Sequence, residues 1–114
     1  MSDNEISLLP SPLTVDEVIS CFRRRWGFAY DLNLIVREGS LYLQIMWGYL
    51  EQQSFPMSEK AFRVHINEVL EIINRLGQAD IIRTWMETVE PRPRIGRPLT
   101  LRLKADERLG EFLV

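Results

Sequence analysis

The stretch LNLIVREGSLYLQIMW, residues 32–47, decides the fold. Two runs of alternating side chains flank a glycine-containing turn at 38–40, and this arrangement predicts a β-hairpin. One face of the hairpin is mixed and includes Ile35, Tyr42 and Met46. The other face is apolar throughout and carries Leu32, Leu34, Val36, Leu41, Leu43, Ile45 and Trp47.

On the N-terminal side of the hairpin, the sequence predicts one helix over 15–26. Thr14 and Glu17 form the T-x-x-E pattern of a capping box, apolar residues follow at helical spacing, and Gly27 ends the helix. Residues 1–13 are mostly polar and contain two prolines, so we expect a flexible arm there.

On the C-terminal side, apolar spacing predicts helices over 59–76 and 79–89, the first capped by Ser58 and ended by Gly77. Three prolines between 91 and 98 exclude a helix there, and alternation over 99–104 then predicts a third strand. The order α-β-β-α-α-β predicts an α+β fold, with a three-stranded, mainly antiparallel sheet and helices packed on one face. The pattern predicts a single domain over 14–105 and a tail over 106–114, and leaves the position of the third strand open.

Composition restricts the class of protein. The chain has 114 residues, 46% of them apolar and 26% charged, with a net charge of −2, which fits one globular domain. This balance argues against a surface built as a whole for nucleic acid or anionic lipid. The single cysteine, Cys21, permits no internal disulfide. We find no targeting pattern and no apolar run of about 20 residues, so we expect no membrane span and a cytoplasmic location, or a stromal one in a plastid homologue.

The sequence contains no recognisable catalytic or metal-binding constellation. His65 and Glu68 supply two ligands, whereas zinc sites need three or four. Cys21 would need a nearby base, and a small, partly buried residue is the simpler interpretation. Phosphate-binding, dinucleotide-binding and nucleophile-elbow motifs are absent. We therefore predict a protein that is not an enzyme, with no catalytic residues, no metal and no cofactor.

One segment stands out by its charge. The sequence PRPRIGRPLTLRLK, residues 91–104, holds five of the chain's 14 Lys and Arg residues and none of its 16 acids. This basic segment suits binding of an anion, of RNA or of an acidic protein face. A solvated edge strand, protected from aggregation by positive charge, explains the pattern equally well. Its basic residues are Arg92, Arg94, Arg97, Arg102 and Lys104.

Neighbouring residues extend this hypothesis. Arg23, Arg24 and Arg25 could enlarge the basic surface, although they also suit the negative end of the helix dipole. Tyr49 and Phe55 flank the loop before the second long helix and could take part. The leading hypothesis is a non-enzymatic interaction or assembly module whose partner is a protein with an acidic face. The alternative is binding of RNA or single-stranded nucleic acid, and the oligomeric state stays open.

Four stretches resemble an uncharacterised family of small α+β proteins from cyanobacteria and plastids. The resemblance covers most of 15–104, and the LGQAD turn and the RPRIGRPL segment are its most specific parts. It implies the cytosol or stroma of a phototroph and a housekeeping or assembly role, and it brings no catalytic residues to carry over. The stretches are LYLQIMW-x-YLEQQSFP (41–56), INRLGQAD (73–80), IIRTWMET (81–88) and RPRIGRPLTLRL (92–103).

Overall fold

The computed structural model describes residues 11–103, which form three helices and one three-stranded sheet. This result confirms the predicted α+β class and the predicted order of elements. The elements are α1 (Val15–Trp26), β1 (Tyr30–Arg37), β2 (Ser40–Tyr49), α2 (Glu59–Arg75), α3 (Ala79–Thr88) and β3 (Leu99–Arg102).

The sheet is antiparallel throughout, in the order β1-β2-β3. Glu38 and Gly39 both have positive φ, 53° and 77°, as the two-residue type I′ turn of a hairpin requires. Leu101 of β3 lies opposite Leu43 of β2, so the third strand joins the hairpin on its β2 side. β2 is therefore the central strand, and β1 and β3 form the two edges.

Local capping fixes where the helices begin. The side-chain oxygen of Thr14 accepts a hydrogen bond from the Glu17 amide, and that of Ser58 accepts one from Ala61. Gly27 ends α1 in the left-handed region, with φ at 89°. The helices α2 and α3 each end one residue before the predicted position. Among residues 11–103, no helix is both long and apolar enough to cross a bilayer.

The helices cover one face of the sheet, as predicted. The opposite face carries a cross-strand row of polar residues, in which the Gln44 amide donates to the Thr100 hydroxyl at 3.2 Å. The covered face packs its apolar residues into one core with the helices. Fully inaccessible members of that core include Leu32, Leu43, Ile45, Phe62, Ile66, Ile73 and Ile82.

The packed domain begins before the predicted start at residue 14. Leu13 is only 3% exposed, and both of its backbone groups bond to the Asn74 side chain, at 2.8 and 3.0 Å. Its apolar side chain and its satisfied backbone make it part of the core, so Leu13 does not belong to a flexible arm. Residues 1–10 of the predicted arm, and the predicted tail, 106–114, lie outside the described residues.

Candidate functional site

The basic segment connects α3 to β3 and contains a tight turn. Arg94 and Arg97 exchange two backbone hydrogen bonds, at 3.2 and 2.7 Å. Gly96 has φ at 75° in the third position of this turn, as a type II turn requires. Ile95, at the tip, is 84% exposed. We call residues 92–97 the arginine turn; its side chains are exposed to solvent except that of Pro93, which is buried.

Three arginines of this turn are exposed to solvent. Within the described part of the chain, Arg92, Arg94 and Arg97 form no salt bridge and no side-chain hydrogen bond, unlike the arginines of α1. Arg102 is also exposed and lies on β3, opposite Tyr42. Lys104, the last predicted site residue, lies outside the described residues. The turn therefore carries a concentrated positive charge that no ion pair among residues 11–103 neutralises, although Glu90 lines one depression together with Arg92.

An aromatic cleft of about 290 Å³ lies between the arginine turn and the end of the hairpin. Tyr30 and Tyr49 are paired residues of β1 and β2, and their rings meet edge to face at 5.5 Å. Phe28 stacks on Tyr49 with ring centroids 4.4 Å apart. These contacts hold the aromatic wall in place. The cleft is lined by Phe28, Tyr30, Trp47, Tyr49, Arg92, Pro93, Arg94 and Ile95.

Two further depressions border the turn. One, of about 280 Å³, lies along Pro91–Leu99 and includes Arg97. The other, of about 590 Å³, is bounded by Arg25 and Trp26 of α1 and by Glu90, Pro91 and Arg92. Burial raises the pKa of Tyr30, and the nearby charge of Arg92 partly opposes this effect. The Tyr30 phenol therefore stays neutral and contributes an apolar ring to the cleft.

The arginines of α1 mostly bond to other groups of the domain. Arg23 pairs with Glu51 at 2.6 Å, and Arg24 makes two hydrogen bonds to Glu87, at 2.9 and 2.6 Å. Their charges are thus compensated within the domain. Arg25 donates to the carbonyl oxygens of Met86 and Val89 and lies 4.7 Å above the Trp26 ring. Of the three, only Arg25 borders a depression next to the arginine turn.

The aromatic residues divide between the cleft and the core. Tyr49 lies in the cleft with Arg92 and Arg94, so the structure brings these predicted site residues together. Phe55 instead packs edge to face against Phe62, with centroids 5.6 Å apart, and does not line the cleft.

Four cleft residues were not predicted from the sequence. An antiparallel hairpin places the beginning of its first strand beside the end of its second. The aromatic residues at these two ends of the hairpin were the available signal, although the sequence does not show that the arginine turn covers them. The residues missed are Phe28, Tyr30, Trp47 and Ile95.

The two reactive residue types considered above are held in structural contacts. Cys21 is buried, and its thiol lies 3.6 Å from the Met86 carbonyl oxygen. Burial and the charge of Glu87 raise the pKa of Cys21 to about 11, so very little thiolate forms at neutral pH. The Nε2 atom of His65 lies 2.7 Å from the Leu32 carbonyl oxygen. Within residues 11–103, no three His, Cys, Asp or Glu side chains cluster as a metal site would require.

The chain was compared with known proteins. No curated protein matches it. The solution NMR structure of the Alr2454 protein from Nostoc sp. strain PCC 7120 is similar, with a TM-score of 0.78 and 33% sequence identity, over 90% of this chain and 98% of that chain. A family model described as a domain of unknown function (DUF3067) matches residues 16–113, which include the aromatic cleft and the arginine turn. These matches confirm the resemblance to an uncharacterised cyanobacterial family, and the chain belongs to the DUF3067 family.

Proposed function

We propose that this chain is a non-enzymatic binding module that holds an acidic segment of another protein in the aromatic cleft and on the arginine turn. The observation that carries the proposal is the juxtaposition of an aromatic cleft with three exposed arginines that have no ion-pair partner in the described part of the chain. Carboxylates fit the planar fork of a guanidinium through two parallel hydrogen bonds.

The residue types at this surface favour a protein partner. Trp, Tyr and Arg are enriched among the residues that carry most of the binding energy at protein interfaces. Trp47, Tyr49 and Arg94 line the same cleft, and Ile95 adds an exposed apolar contact beside them. A partner segment with acidic and apolar side chains close together would use both properties of the surface.

The same surface suits RNA less well. Proteins that bind single-stranded nucleic acid stack bases on free aromatic faces. Here Phe28 and Tyr49 stack on each other, and Tyr30 is buried. The net charge of −2 also supplies little long-range attraction for a phosphate backbone. RNA binding is therefore the alternative that the capture experiment has to exclude.

The test reverses charge at the arginine turn and at a matched site. One variant carries Arg94→Glu and Arg97→Glu. The control carries Arg37→Glu and Lys60→Glu, which change the net charge equally at exposed positions elsewhere. Each tagged protein is used to capture partners from the native host, and mass spectrometry quantifies what is recovered. We expect the control to retain a partner that the turn variant loses, with melting temperatures that stay close to that of the unmodified protein.

Equal recovery by the two variants would contradict the proposal. A nuclease-treated sample and an anisotropy titration with single-stranded RNA, at low and at physiological ionic strength, identify the alternative. Tight RNA binding that weakens steeply with salt, together with nuclease-sensitive capture, would replace the acidic protein partner with RNA.

The compartment is part of the proposal. The relationship to a Nostoc protein supports the cytosol of a phototroph, or the stroma in a plastid homologue. Fractionation of the native host, followed by immunodetection, tests this location. Recovery of the protein in the membrane or periplasmic fraction would contradict it.

A further inference from the structure

The outer edge of β3 presents unpaired backbone groups. The Leu103 amide donates to the Leu41 carbonyl oxygen at 2.9 Å, which makes these two residues a hydrogen-bonded pair. Because such pairs alternate along antiparallel strands, Leu99 and Leu101 also direct their backbone groups toward β2. The backbone groups of Thr100 and Arg102 therefore point away from the sheet. No backbone group among residues 11–103 is hydrogen-bonded to them.

The side chains at this edge are also incompletely covered. Leu43 and Ile45 of the central strand are fully inaccessible, whereas their β3 neighbours, Leu101 and Leu99, are only partly buried. On the opposite face of the sheet, Arg102 is exposed and has no ion-pair partner among the described residues. An added strand would cover the leucines on one face and meet the arginine on the other.

We propose that the partner's acidic segment adds to β3 as a fourth, extended strand. This inference rests on the function proposed above and specifies how the partner binds. Strand addition supplies affinity through main-chain hydrogen bonds and specificity through alternate side chains. Residues opposite Arg102 are acidic and residues opposite Leu99 and Leu101 are apolar, because directly opposed residues share a face. The ligand class is an extended segment that alternates acidic and apolar residues.

Other occupants fit this edge less well. A second copy of the chain would bring another basic strand edge, with its own Arg102, close to this one, and like charges that approach across a strand pair are unfavourable. Nucleic acid has no peptide groups to continue the ladder. The β1 edge is less available, because His65 of α2 already bonds to the Leu32 carbonyl oxygen there. An acidic peptide at β3 matches both the charge and the open backbone.

The experiment uses a short, end-blocked peptide that alternates glutamate and valine, with a fluorescent label. Thr100→Pro removes the outward amide without breaking a backbone hydrogen bond to β2, since proline is tolerated where an edge N–H faces solvent; it also removes the hydroxyl that accepts from Gln44. Thr100→Val is the matched control, because it loses the same hydroxyl and keeps the amide. We expect Thr100→Pro to weaken peptide binding by about tenfold and Thr100→Val to leave it nearly unchanged.

A measurement on the unmodified protein makes the test independent of whether the proline variant folds. Hydrogen exchange followed by NMR should show that the alternating peptide protects the amides of Thr100 and Arg102. A scrambled peptide of the same composition, with its glutamates and valines in separate blocks, should protect neither amide. Because the two peptides have the same net charge, a difference in amide protection between them reports the effect of the alternating sequence alone.

The outcomes separate this inference from the proposed function. Equal binding by both Thr100 variants without amide protection overturns strand addition, as does failure of the alternating peptide to bind. Capture that still depends on Arg94 and Arg97 would then leave the proposed function standing, with the aromatic cleft as the site of contact. If partner capture depends on neither the arginine turn nor the β3 edge, both proposals are overturned.

Discussion

At the scale of single residues, burial changes the protonation of the Asp31 carboxyl group. Its carboxylate lies against α2, 3.3 Å from the His65 Nε2 atom, and also accepts the Leu32 amide at 2.9 Å. Burial raises the pKa of Asp31, and the two contacts oppose that effect. Because the folded-state pKa lies above the ordinary value, stability from this residue is present when it is protonated and is lost as pH rises through the folded pKa.

We therefore predict that Asp31→Asn raises stability at neutral pH. The amide keeps an acceptor for Leu32 and removes the buried charge. At about pH 3, where the carboxyl is protonated in the folded and unfolded states alike, the variant and the unmodified protein should have similar stability. Denaturant unfolding at the two pH values measures this difference. Lower stability of the variant at neutral pH would show that the contact with His65 outweighs the cost of burial.

At the scale of elements, α1 supplies hydrogen-bond donors to the carbonyl groups at the C-terminus of α3. Its last turn has no basic residue, and the Val89 amide bonds back to the Trp85 carbonyl oxygen before the chain becomes extended, so the carbonyl groups after Trp85 have no donor from a local capping motif. Arg25 of α1 supplies the donors, through hydrogen bonds of 2.8 and 2.9 Å to Met86 and Val89. This contact joins the first helix to the chain just before the basic segment begins.

We predict that Arg25→Ala lowers the free energy of unfolding by about 1–2 kcal/mol, because it leaves two carbonyl groups without their charged donor. Arg23→Ala is the comparison variant, and loss of its exposed pair with Glu51 should cost less than about 1 kcal/mol. Chemical denaturation of both variants measures the difference. Equal losses would contradict the structural role assigned to Arg25.

Local signals explain why the elements could be predicted and the cleft could not. Thr14, Ser58 and Gly27 act on their immediate neighbours, so the limits that they set are visible in the sequence. The cleft joins Phe28 to Arg92, which are far apart in the chain, and nothing local records that contact. The ion pairs of Arg23 and Arg24 could not be predicted for the same reason, because their acidic partners come from distant segments of the chain.

At the scale of the whole molecule, one core joins all three helices to the sheet. Phe22 of α1, Phe62 of α2 and Met86 of α3 are all inaccessible or nearly so. The same cluster includes buried residues of β1 and β2, and leucines of β3 pack against it. A domain of this size with a single core is expected to unfold in one cooperative step.

We predict that tryptophan fluorescence and far-ultraviolet circular dichroism report the same unfolding midpoint in denaturant. Trp26, Trp47 and Trp85 lie in α1, β2 and α3, so fluorescence samples separate parts of the fold. Circular dichroism follows the helices. Two distinct midpoints would show that the sheet and the helices unfold separately, in contradiction to a shared core.

The spacing of the prolines in the arginine turn affects its resistance to proteolysis in a cell. Exposed basic loops attract proteases that cut after arginine, yet such enzymes cleave poorly when proline follows. Proline follows Arg92 and Arg97, which leaves the bond between Arg94 and Ile95 as the one susceptible position in the turn. A surface rich in arginine can thus stay open to solvent while offering degradative enzymes a single point of attack, and a bound partner would shield that point.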